Sequence, residues 1–266
     1  MTNNAPCPEI KKKHEKMIRI ATWNLGVPPK IAVQKHQAMI AEVQADIWIF
    51  TETREGFHPG NEFTCVAHSK EAGDLDEDRL WTAIWVRKSL AESAGRIETT
   101  DQQRTACARL MMPNNTTIYV YGTVLPWRGD QWHNHKSAGG VAFSKALAVQ
   151  KADWKRLRCK HRESILFVAG DFNQDLMETR SIYNSWKQRE KLKETLNDLK
   201  FQCLTELAAD PVAEISPGHA TIDHICVCGP QSPTRFPAKS YACPPVYQEK
   251  RLSDHFIVFT DVDLAR

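Results

Sequence analysis

The sequence lacks any apolar run that approaches the ~20 residues needed to cross a membrane. It also lacks internal repeats and low-complexity segments, so nothing in it predicts a repeat or disordered architecture. Neither sign of charge is in strong excess, because the formal net charge is only +3 at pH 7. A balance this mild permits a polyanionic partner such as nucleic acid but does not establish one.

The sequence has no CxxC pair among its eight cysteines. Four cysteines sit inside apolar runs: Cys65, Cys107, Cys226 and Cys228. We therefore expect the cysteines to be reduced core residues in a reducing compartment, and not a disulfide framework. Cys226 and Cys228 are two apart in a predicted strand and would face the same side, which disfavours a zinc site.

Residues 11–16 (KKKHEK) form a basic stretch that is not followed by a signal peptide. The next apolar run, residues 17–25, is short and leads into a polar motif. We expect residues 1–16 to be a flexible, solvated basic tail, and the protein to be soluble and cytoplasmic. An alternative role for the lysines of this tail is to help hold a phosphate backbone.

The length and composition fit one large domain. With 266 residues, 42% of them hydrophobic, the chain can bury a sizeable core. We expect a single domain over residues 17–266. Strand and helix patterns alternate along it, which predicts an α/β fold with a mixed sheet.

Hydrophobic periodicity predicts where the strands and helices lie. The predicted strands cover residues 18–23, 46–50, 63–67, 80–87, 106–112, 117–124, 164–169, 221–227 and 256–260. The predicted helices cover residues 31–44 and 142–157, and a third includes residues 191–199. The short strands between residues 57 and 121 suggest an antiparallel meander. The Pro-rich residues 229–245 are interpreted as an ordered surface loop.

Asn24 and Glu52 follow the first two predicted strands, which a helix connects. The carboxyl ends of neighbouring strands lie together in such a βαβ arrangement, where α/β sheets commonly build sites. Glu52 follows a very apolar strand, and a lone carboxylate there suits Mg²⁺ completed by waters and substrate oxygens. The amide of Asn24 could donate to a phosphate oxygen or fix a neighbouring carboxylate, although an Asn by itself is more often a turn residue.

Gly170-Asp171-Phe172-Asn173 is the strongest local motif. Side chains two apart in an extended segment project the same way, so Asp171 and Asn173 would point at one phosphate. Asp171 could accept the proton of an attacking water, while Asn173 orients that water or binds a phosphate oxygen. The structural alternative, with about equal weight, is an Asx-turn.

Two Asp-His pairs, Asp223-His224 and Asp254-His255, lie beside apolar strand residues. A carboxylate partner holds one tautomer of a histidine and raises the basicity of its imidazole. Both pairs are therefore candidates for acid–base chemistry. We interpret His224 as a structural histidine beside the site and leave it outside the set of site residues.

Five short segments occur in a particular order along the chain: TWNL at 22–25, FTET at 50–53, GDFN at 170–173, IDH at 222–224 and SDH at 253–255. With these motifs the chain resembles the endonuclease/exonuclease/phosphatase superfamily. Those metal-dependent phosphodiesterases include apurinic endonucleases, deoxyribonuclease I, neutral sphingomyelinases and inositol polyphosphate 5-phosphatases. The resemblance covers nearly everything from Ile18 to Thr260. It implies a four-layered α/β sandwich, in which two packed mixed β-sheets are flanked by helices.

The resemblance also implies a role for each site residue. The implied catalytic residues are Asp171, Asn173, Asp223 and His255, and the implied metal ligands are Glu52, Asp254 and Asn24. Glu52 would be the principal ligand of Mg²⁺, with Mn²⁺ as an alternative ion. His255, supported by Asp223, would stabilise the developing charge or act as general acid/base. Asn24 would also contact substrate.

The chain departs from the family pattern after the strand at 117–124. Aligning on Pro126 puts Val124 where apurinic endonucleases carry a Tyr near the scissile phosphate. That role is either absent or passes to the following loop, which is dense in hydrogen-bond donors and rings. The loop residues expected to contact substrate are Trp127, Arg128, His133 and His135.

The implied reaction is hydrolysis of a phosphate ester by in-line attack of water. The mildly basic balance and the aromatic-basic loop favour a nuclease acting on DNA, or alternatively RNA. We expect the protein to be a monomer. A phosphatase of inositol phosphates would need a basic pocket, which loops near Arg79, Arg87 or Lys136 could supply, and a sphingomyelinase would need an apolar membrane-engaging loop. A third alternative is an inactive module that only binds a phosphorylated partner.

Overall fold

The computed structural model describes residues 17–28, 33–70, 78–127, 129–132, 135–136, 140–177, 185–206, 210–230 and 235–264, without the side chains of residues 131, 132, 135 and 136. The strands within these ranges are β1 (Met17–Asn24), β2 (Ile47–Arg54), β3 (Phe63–His68), β4 (Arg79–Arg87), β5 (Gly95–Ile97), β6 (Thr105–Met111), β7 (Thr117–Val124), β8 (Gln131–Trp132), β9 (His135–Lys136), β10 (Ile165–Asp171), β11 (Gln202–Cys203), β12 (Asp223–Cys228), β13 (Ala238–Cys243), β14 (Val246–Tyr247), β15 (Lys250–Arg251) and β16 (Ile257–Asp263). The helices are α1 (Val33–Val43), α2 (Lys88–Ala91), α3 (Val141–Lys160), α4 (Trp186–Asp198) and α5 (Pro211–Ile215).

Two six-stranded mixed sheets form the centre of the fold. The first has the order β13-β16-β1-β2-β4-β3, and the second has the order β11-β12-β10-β7-β6-β5. The pairs β1–β2 and β7–β10 are parallel, whereas their other neighbours run antiparallel. The predicted meander is wrong, because β3 and β4 belong to the first sheet while β6 and β7 belong to the second. Alternation along a strand indicates which face is buried, but it does not identify the neighbouring strand.

The two sheets pack face to face, and helices cover their outer faces. Ile49 of β2 and Phe167 of β10 belong to one cluster between the sheets. The neighbouring residue Phe50 points to the other face, where it packs with Ile40 of α1. Helices α3 and α4 cover the outer face of the second sheet. Because both faces of the central strands are buried, β2 and β10 are apolar along most of their length. The predicted four-layered α/β sandwich is confirmed.

Asp210 orders the segment that leads into β12. Its carboxylate caps α5 by accepting from the backbone N–H groups of Val212 and Ala213, at 2.9 and 3.0 Å. The same carboxylate accepts from the backbone N–H of Thr221 at 3.0 Å. Thr221 lies two residues before Asp223, so this cap helps to fix where β12 begins.

The Pro-rich segment contains a strand that the sequence analysis missed. β13 pairs antiparallel with β16, from Ala238↔Val262 to Cys243↔Ile257. Its residues are exposed or half-buried before Ala242, as expected for an edge strand, so the apolar alternation that reveals a strand is weak there. Because the strand pattern is weak and prolines surround it, the sequence favours a loop over residues 229–245.

The cysteines only partly match the prediction of reduced core thiols. Cys107, Cys203, Cys226 and Cys228 are buried and free. Cys159 is also free but exposed, and Cys243 is disulfide-bonded, so the prediction is wrong for these two residues. Among the described residues, no helix is both long enough and apolar enough to span a membrane.

Candidate active site

Strands from both sheets bring the predicted site residues to one edge of the sandwich. Asn24 ends β1, and its neighbour in the parallel strand β2 is Thr51, next to Glu52. In the second sheet, Asp171 at the end of β10 is paired directly with Asp223 at the start of β12. Residues distant in sequence therefore meet at the carboxyl ends of β1, β2 and β10, as the strand-end motifs predict.

Asn24 joins the two sheets at this edge. Its Nδ2 donates to Oε1 of Glu52 at 3.1 Å and to Oδ2 of Asp171 at 3.0 Å. Its Oδ1 accepts from the backbone N–H of Gly26 at 2.9 Å, which fixes the orientation of the amide. The side chain is buried. Of the roles considered for Asn24 from sequence, the structure shows the one that fixes neighbouring carboxylates.

Glu52 lies within β2, in a backbone conformation that side-chain-bearing residues rarely adopt. Its φ is 46°, in the left-handed region, and its neighbours Thr51 and Thr53 keep their pairing with β4. Its carbonyl accepts from the N–H of Val27 at 2.7 Å, which ties the loop after β1 to this position. A strained residue of this kind needs support from the surrounding structure, and such residues cluster at functional sites.

Arg79 holds the second oxygen of the Glu52 carboxylate. Its Nη2 donates to Oε2 of Glu52 at 3.0 Å. The guanidinium groups of Arg79 and Arg104 lie over the ring of Trp81, at 4.3 and 4.0 Å from its centroid. Arg104 also pairs with Asp130 at 2.5 Å. From sequence, Arg79 was only a candidate for a basic pocket, because no local pattern indicates that the first residue of β4 reaches a carboxylate in β2.

Asp171 and Asn173 meet through a turn. The N–H of Asn173 donates to Oδ1 of Asp171 at 2.9 Å, which is an Asx-turn, and Asn173 has a φ of 51°. The expectation that the two side chains are parallel because the segment is extended is therefore wrong. The turn nevertheless brings them together, since Nδ2 of Asn173 donates to Oδ2 of Asp171 at 3.0 Å and to the carbonyl of Leu125 at 2.9 Å.

The environment of Asp171 favours its protonated form. Burial raises the pKa of this carboxyl to about 7, His255 opposes the shift, and the negative charges of Asp223 and Glu52 reinforce it. The amides of Asn24 and Asn173 both donate to its Oδ2. Asp171 is thus a buried carboxyl held in one orientation, with a pKa near neutrality.

Asp223 and His255 form the pair that the family resemblance implies. Nδ1 of His255 lies 2.7 Å from Oδ2 of Asp223, and both side chains are largely buried. Burial alone would lower the pKa of His255, but the charges of Asp223 and Asp171 raise it to about 10. Ser253 fixes the loop that carries His255, since its Oγ donates to the carbonyl of Asn24 at 2.6 Å and accepts from the N–H of His255 at 3.1 Å.

The donors at this edge fit a divalent cation. Ligand atoms of Asp171, Asp223 and His255 lie within 4.8 Å of one another. Oδ1 of Asp223 is buried and has no hydrogen-bond partner among the described residues, as expected for an oxygen that awaits a ligand. With Glu52, three carboxylates converge here, and carboxylate oxygens are the ligands that Mg²⁺ prefers.

Other predicted site residues lie at the margin of the cluster or outside the described residues. Asp254 is exposed, and its carboxylate makes no ion pair or hydrogen bond with a described residue. Trp127 is 51% exposed and lies two residues after Leu125. Arg128 and His133 lie outside the described residues. His135 lies in β9, but its side chain is not described.

The tyrosine expected from apurinic endonucleases has no counterpart at the end of β7. Val124 is buried at that position. Tyr121, three residues earlier, faces the outer side of the sheet, where its hydroxyl donates to Asp153 at 3.3 Å.

His224 is buried in β12, where Nε2 donates to the carbonyl of Gln174 at 2.9 Å and Nδ1 contacts the hydroxyl of Thr205 at 3.0 Å. Its contacts agree with the structural role expected for it.

No family model matches the chain, and neither does any curated protein sequence. Solved structures do match it. The endonuclease domain of TRAS1, a telomere-specific non-LTR retrotransposon, is 14% identical with a TM-score of 0.60, over 94% of this chain and all of that domain. An endonuclease/exonuclease/phosphatase family protein from Bacteroides thetaiotaomicron is 14% identical with a TM-score of 0.59, and the match covers 92% of this chain and 97% of that protein. D. rerio TDP2 complexed with single-strand DNA product is 13% identical with a TM-score of 0.56, and the match covers 93% of this chain and 99% of that protein. The chain therefore has the fold of the endonuclease/exonuclease/phosphatase proteins.

Proposed function

We propose that this protein is a metal-dependent phosphodiesterase that hydrolyses its substrate by in-line attack of water, with DNA as the favoured substrate. The observation that supports this most strongly is the connected set of carboxylates at one edge of the sandwich. Asn24 links Glu52 to Asp171, and Asp171 lies within 4.8 Å of the Asp223–His255 pair. Such a set can position a cation, a water and a phosphate together.

Glu52 would be the principal ligand of Mg²⁺ or Mn²⁺, and Asp254 from the neighbouring loop would help to hold the ion or position its water. When bound, the cation neutralises a non-bridging phosphate oxygen and makes the phosphorus more electrophilic. Asn24 would orient Glu52, because both N–H groups of its amide already donate to Glu52 and Asp171. The second lone pair of its Oδ1 would be available to the ion, and contact with a phosphate oxygen would require one N–H to leave its carboxylate. Arg79 would keep the Glu52 carboxylate in place, because it donates to the other oxygen at 3.0 Å.

Asp171 would accept the proton of the attacking water. A general base works best when its pKa lies near the working pH, and the pKa of Asp171 is raised to about 7. His255 would stabilise the charge that develops on the phosphate oxygens. Asn173, whose amide donates to Asp171 and to the carbonyl of Leu125, would hold the general base in place, and would reach a phosphate oxygen only by exchanging one of these hydrogen bonds. Asp223 would keep the His255 ring oriented and protonated, as their 2.7 Å contact supports. We expect no covalent enzyme intermediate.

A nucleic acid is the substrate class that we favour. Trp127 is half-exposed and lies two residues after Leu125, whose carbonyl accepts from Asn173, and exposed aromatic rings can stack on bases. The similar D. rerio TDP2 structure contains a single-strand DNA product, and the TRAS1 domain is an endonuclease. Arg128, His133 and His135 would complete the contacts from the same loop. We propose that the protein acts as a monomer.

A cytoplasmic location remains part of the proposal. The six free cysteines among the described residues support it, whereas the disulfide bond of Cys243 argues against it, since disulfides are rare in reducing compartments. Thiol labelling of the protein taken directly from its cells tests this point. A labelled Cys243 supports the cytoplasm, and a protected one contradicts it.

The test is hydrolysis of a panel of substrates: supercoiled plasmid, abasic duplex, single-stranded DNA, an inositol polyphosphate and sphingomyelin. Each is incubated with Mg²⁺ or with EDTA, using the wild type, His255→Ala and the control His219→Ala. His219 is exposed and contacts Ser216 outside the cluster. We expect cleavage of a nucleic acid that EDTA and His255→Ala abolish and that His219→Ala leaves unchanged.

The same panel separates the alternatives. Turnover of only the inositol phosphate or the lipid would retain the hydrolase and reject the nuclease. If no substrate is cleaved while the protein still binds a phosphorylated one, the inactive binding module replaces the enzyme. Cleavage that His255→Ala leaves intact would reject the proposed catalytic role of His255.

A further inference from the structure

A second candidate site lies at the opposite end of the second sheet from the carboxylate cluster. A cavity of about 370 Å³ opens there, between the end of α3 and the first residues of β7 and β10. The side chains that matter most in its lining are Tyr119, Lys155, Arg158, His161 and Arg162. Leu166 lines it as well, and Asp171 is five residues further along β10, about 17 Å away at ~3.3 Å per residue.

Positive charges near this cavity have no carboxylate partners among the described residues. Lys155, Lys160 and Arg162 are exposed, and none of them forms an ion pair with a carboxylate of a described residue. Two other basic residues of α3 do form such pairs: Lys151 with Asp198 at 2.7 Å, and Arg156 with Asp153 at 2.8 Å. The end of α3 therefore carries positive charge that no ion pair with a described residue neutralises.

The helix dipole accounts for only part of this charge. Basic residues are favourable in the last turn of a helix, which explains Arg158 and Lys160. Lys155 lies a turn earlier, and Arg162 lies beyond the end of the helix, so the dipole explains neither of them. Arg158 donates to the carbonyl of Leu199, which fixes its guanidinium at the wall of the cavity.

The lowered pKa of His161 reflects its burial and the positive charges around it. Burial and the positive charges of Lys160, Arg109 and Arg156 all lower the pKa of His161, with no carboxylate raising it. Its ring stacks on Tyr119, with 4.5 Å between the ring centroids. Arg109 adds a positive charge from a different element, because it is exposed on β6 directly opposite Tyr119 of β7.

We propose that this cavity is a second, non-catalytic binding site for phosphate groups. Lys155 and Arg162 would donate charge-assisted hydrogen bonds to the phosphate oxygens, and Arg158 would contribute from the wall. The volume is that of a small-molecule site, so it admits a free phosphate compound or one or two backbone phosphates of a nucleic acid. The proposal does not depend on the hydrolase activity, because none of its residues belongs to the carboxylate cluster.

An NMR titration of the amide resonances tests this site directly. The probes are inorganic pyrophosphate and a single strand of ten thymidine nucleotides, added separately without divalent metal. The full chain is compared with the double variant Lys155→Gln/Arg162→Gln and with Lys191→Gln. Lys191 is an exposed lysine of α4 outside the cavity and controls for a change in charge. Thermal unfolding establishes that the variants fold.

We expect saturable shifts at the amides of His161, Arg162 and Gly229, and affinity at least about tenfold weaker in the double variant, since each lost contact is a charge-assisted hydrogen bond. Lys191→Gln should change the affinity less than about twofold. Shifts with both probes identify the phosphate group itself as the ligand, and shifts with the oligonucleotide alone identify a nucleic-acid backbone. The proposal is overturned if neither probe shifts these amides, or if the double variant binds as tightly as the wild type.

Discussion

The two ends of the second sheet differ in charge and in how that charge is paired. One end carries acidic side chains that accept hydrogen bonds, and the other carries basic side chains without described carboxylate partners. At one end of β10, Asp171 accepts hydrogen bonds from two side-chain amides. At the other end of the same sheet, Lys155 and Arg162 project without a described carboxylate partner. Asp171 and Asp223 are buried and fixed, whereas Lys155 and Arg162 are exposed. The same sheet therefore supports a rigid, preorganised site at one end and an open, charged surface at the other.

This difference shows where each kind of chemistry can be built. A catalytic group must be held in a single orientation, which requires burial and several donors from different strands. Attraction of a phosphate needs only unneutralised positive charge near the surface. We expect substitutions at the acidic end to change turnover, and substitutions at the basic end to change affinity.

Removing the charge from the Asp223–His255 pair should have the largest effect. Asp223→Asn keeps the shape of the side chain but no longer favours the charged, oriented imidazole. Turnover of the substrate that the panel identifies should fall by about 10²–10⁴, the range that general acid–base catalysis contributes, and loss of a catalytic histidine's aspartate partner lies at its upper end. Steady-state kinetics measure the loss. If kcat changes less than tenfold, the 2.7 Å contact is structural only.

The same variant gives a prediction for the pH dependence of stability. In the folded protein the pKa of His255 is raised from 6.5 to about 10. A raised histidine pKa stabilises the fold fully below pH 6.5, and this stabilisation is lost as the pH rises through about 10. The difference in free energy of unfolding between wild type and Asp223→Asn should therefore shrink across that window. Urea unfolding at several pH values measures it, and a difference that grows with pH would contradict the assignment.

Asn24→Ala breaks the link between the two sheets at the acidic end. Glu52 and Asp171 each lose a donor, and at about 0.5–1.5 kcal/mol for each hydrogen bond the variant should lose about 1–3 kcal/mol of stability. Chemical denaturation measures this loss. The control is Asn197→Ala on the exposed face of α4, which should cost less than about 0.5 kcal/mol. Equal losses in the two variants would mean that the link contributes nothing specific.

Arg79→Met removes the donor to the second Glu52 oxygen while keeping an apolar stem near Trp81. We expect turnover to fall about tenfold, because a lost charged hydrogen bond is worth roughly 1.5 kcal/mol in positioning. Arg87→Met is the matched control, since Arg87 lies at the other end of β4 and also faces both a carboxylate and a ring. If the two variants lose equal turnover, Arg79 does not position Glu52.

Substitutions at the basic end should have the smallest effect on turnover. Lys155→Gln/Arg162→Gln lies about 17 Å or more from Asp171 by the strand geometry. We expect it to change the kcat for a short substrate, one that cannot span both ends, by less than about twofold. A large loss of kcat with such a substrate would show that the two ends do not act separately.

Sequence reasoning predicted most strands because buried strands leave a clear apolar pattern, whereas the four layers were predicted only through the family resemblance. It also predicted the contact between Asp223 and His255, through the family motifs. It missed Arg79 as the partner of Glu52 and Ser253 as the link to Asn24, since both contacts depend on which strands become neighbours. At Asp171–Asn173 it gave an extended segment and an Asx-turn about equal weight, and the structure shows the Asx-turn.

The most direct test of the proposed active site compares two isosteric substitutions of aspartate. Asp171→Asn changes the buried carboxylate at the centre of the cluster. Asp198→Asn changes an exposed carboxylate that pairs with Lys151 at the far end of α4. Single-turnover hydrolysis with Mg²⁺, measured on the substrate that the panel identifies, should fall by at least about 10² in Asp171→Asn, as expected for loss of a general base. It should be unchanged in Asp198→Asn. Hydrolysis by Asp171→Asn at the wild-type rate would contradict the assignment of this cluster as the catalytic centre.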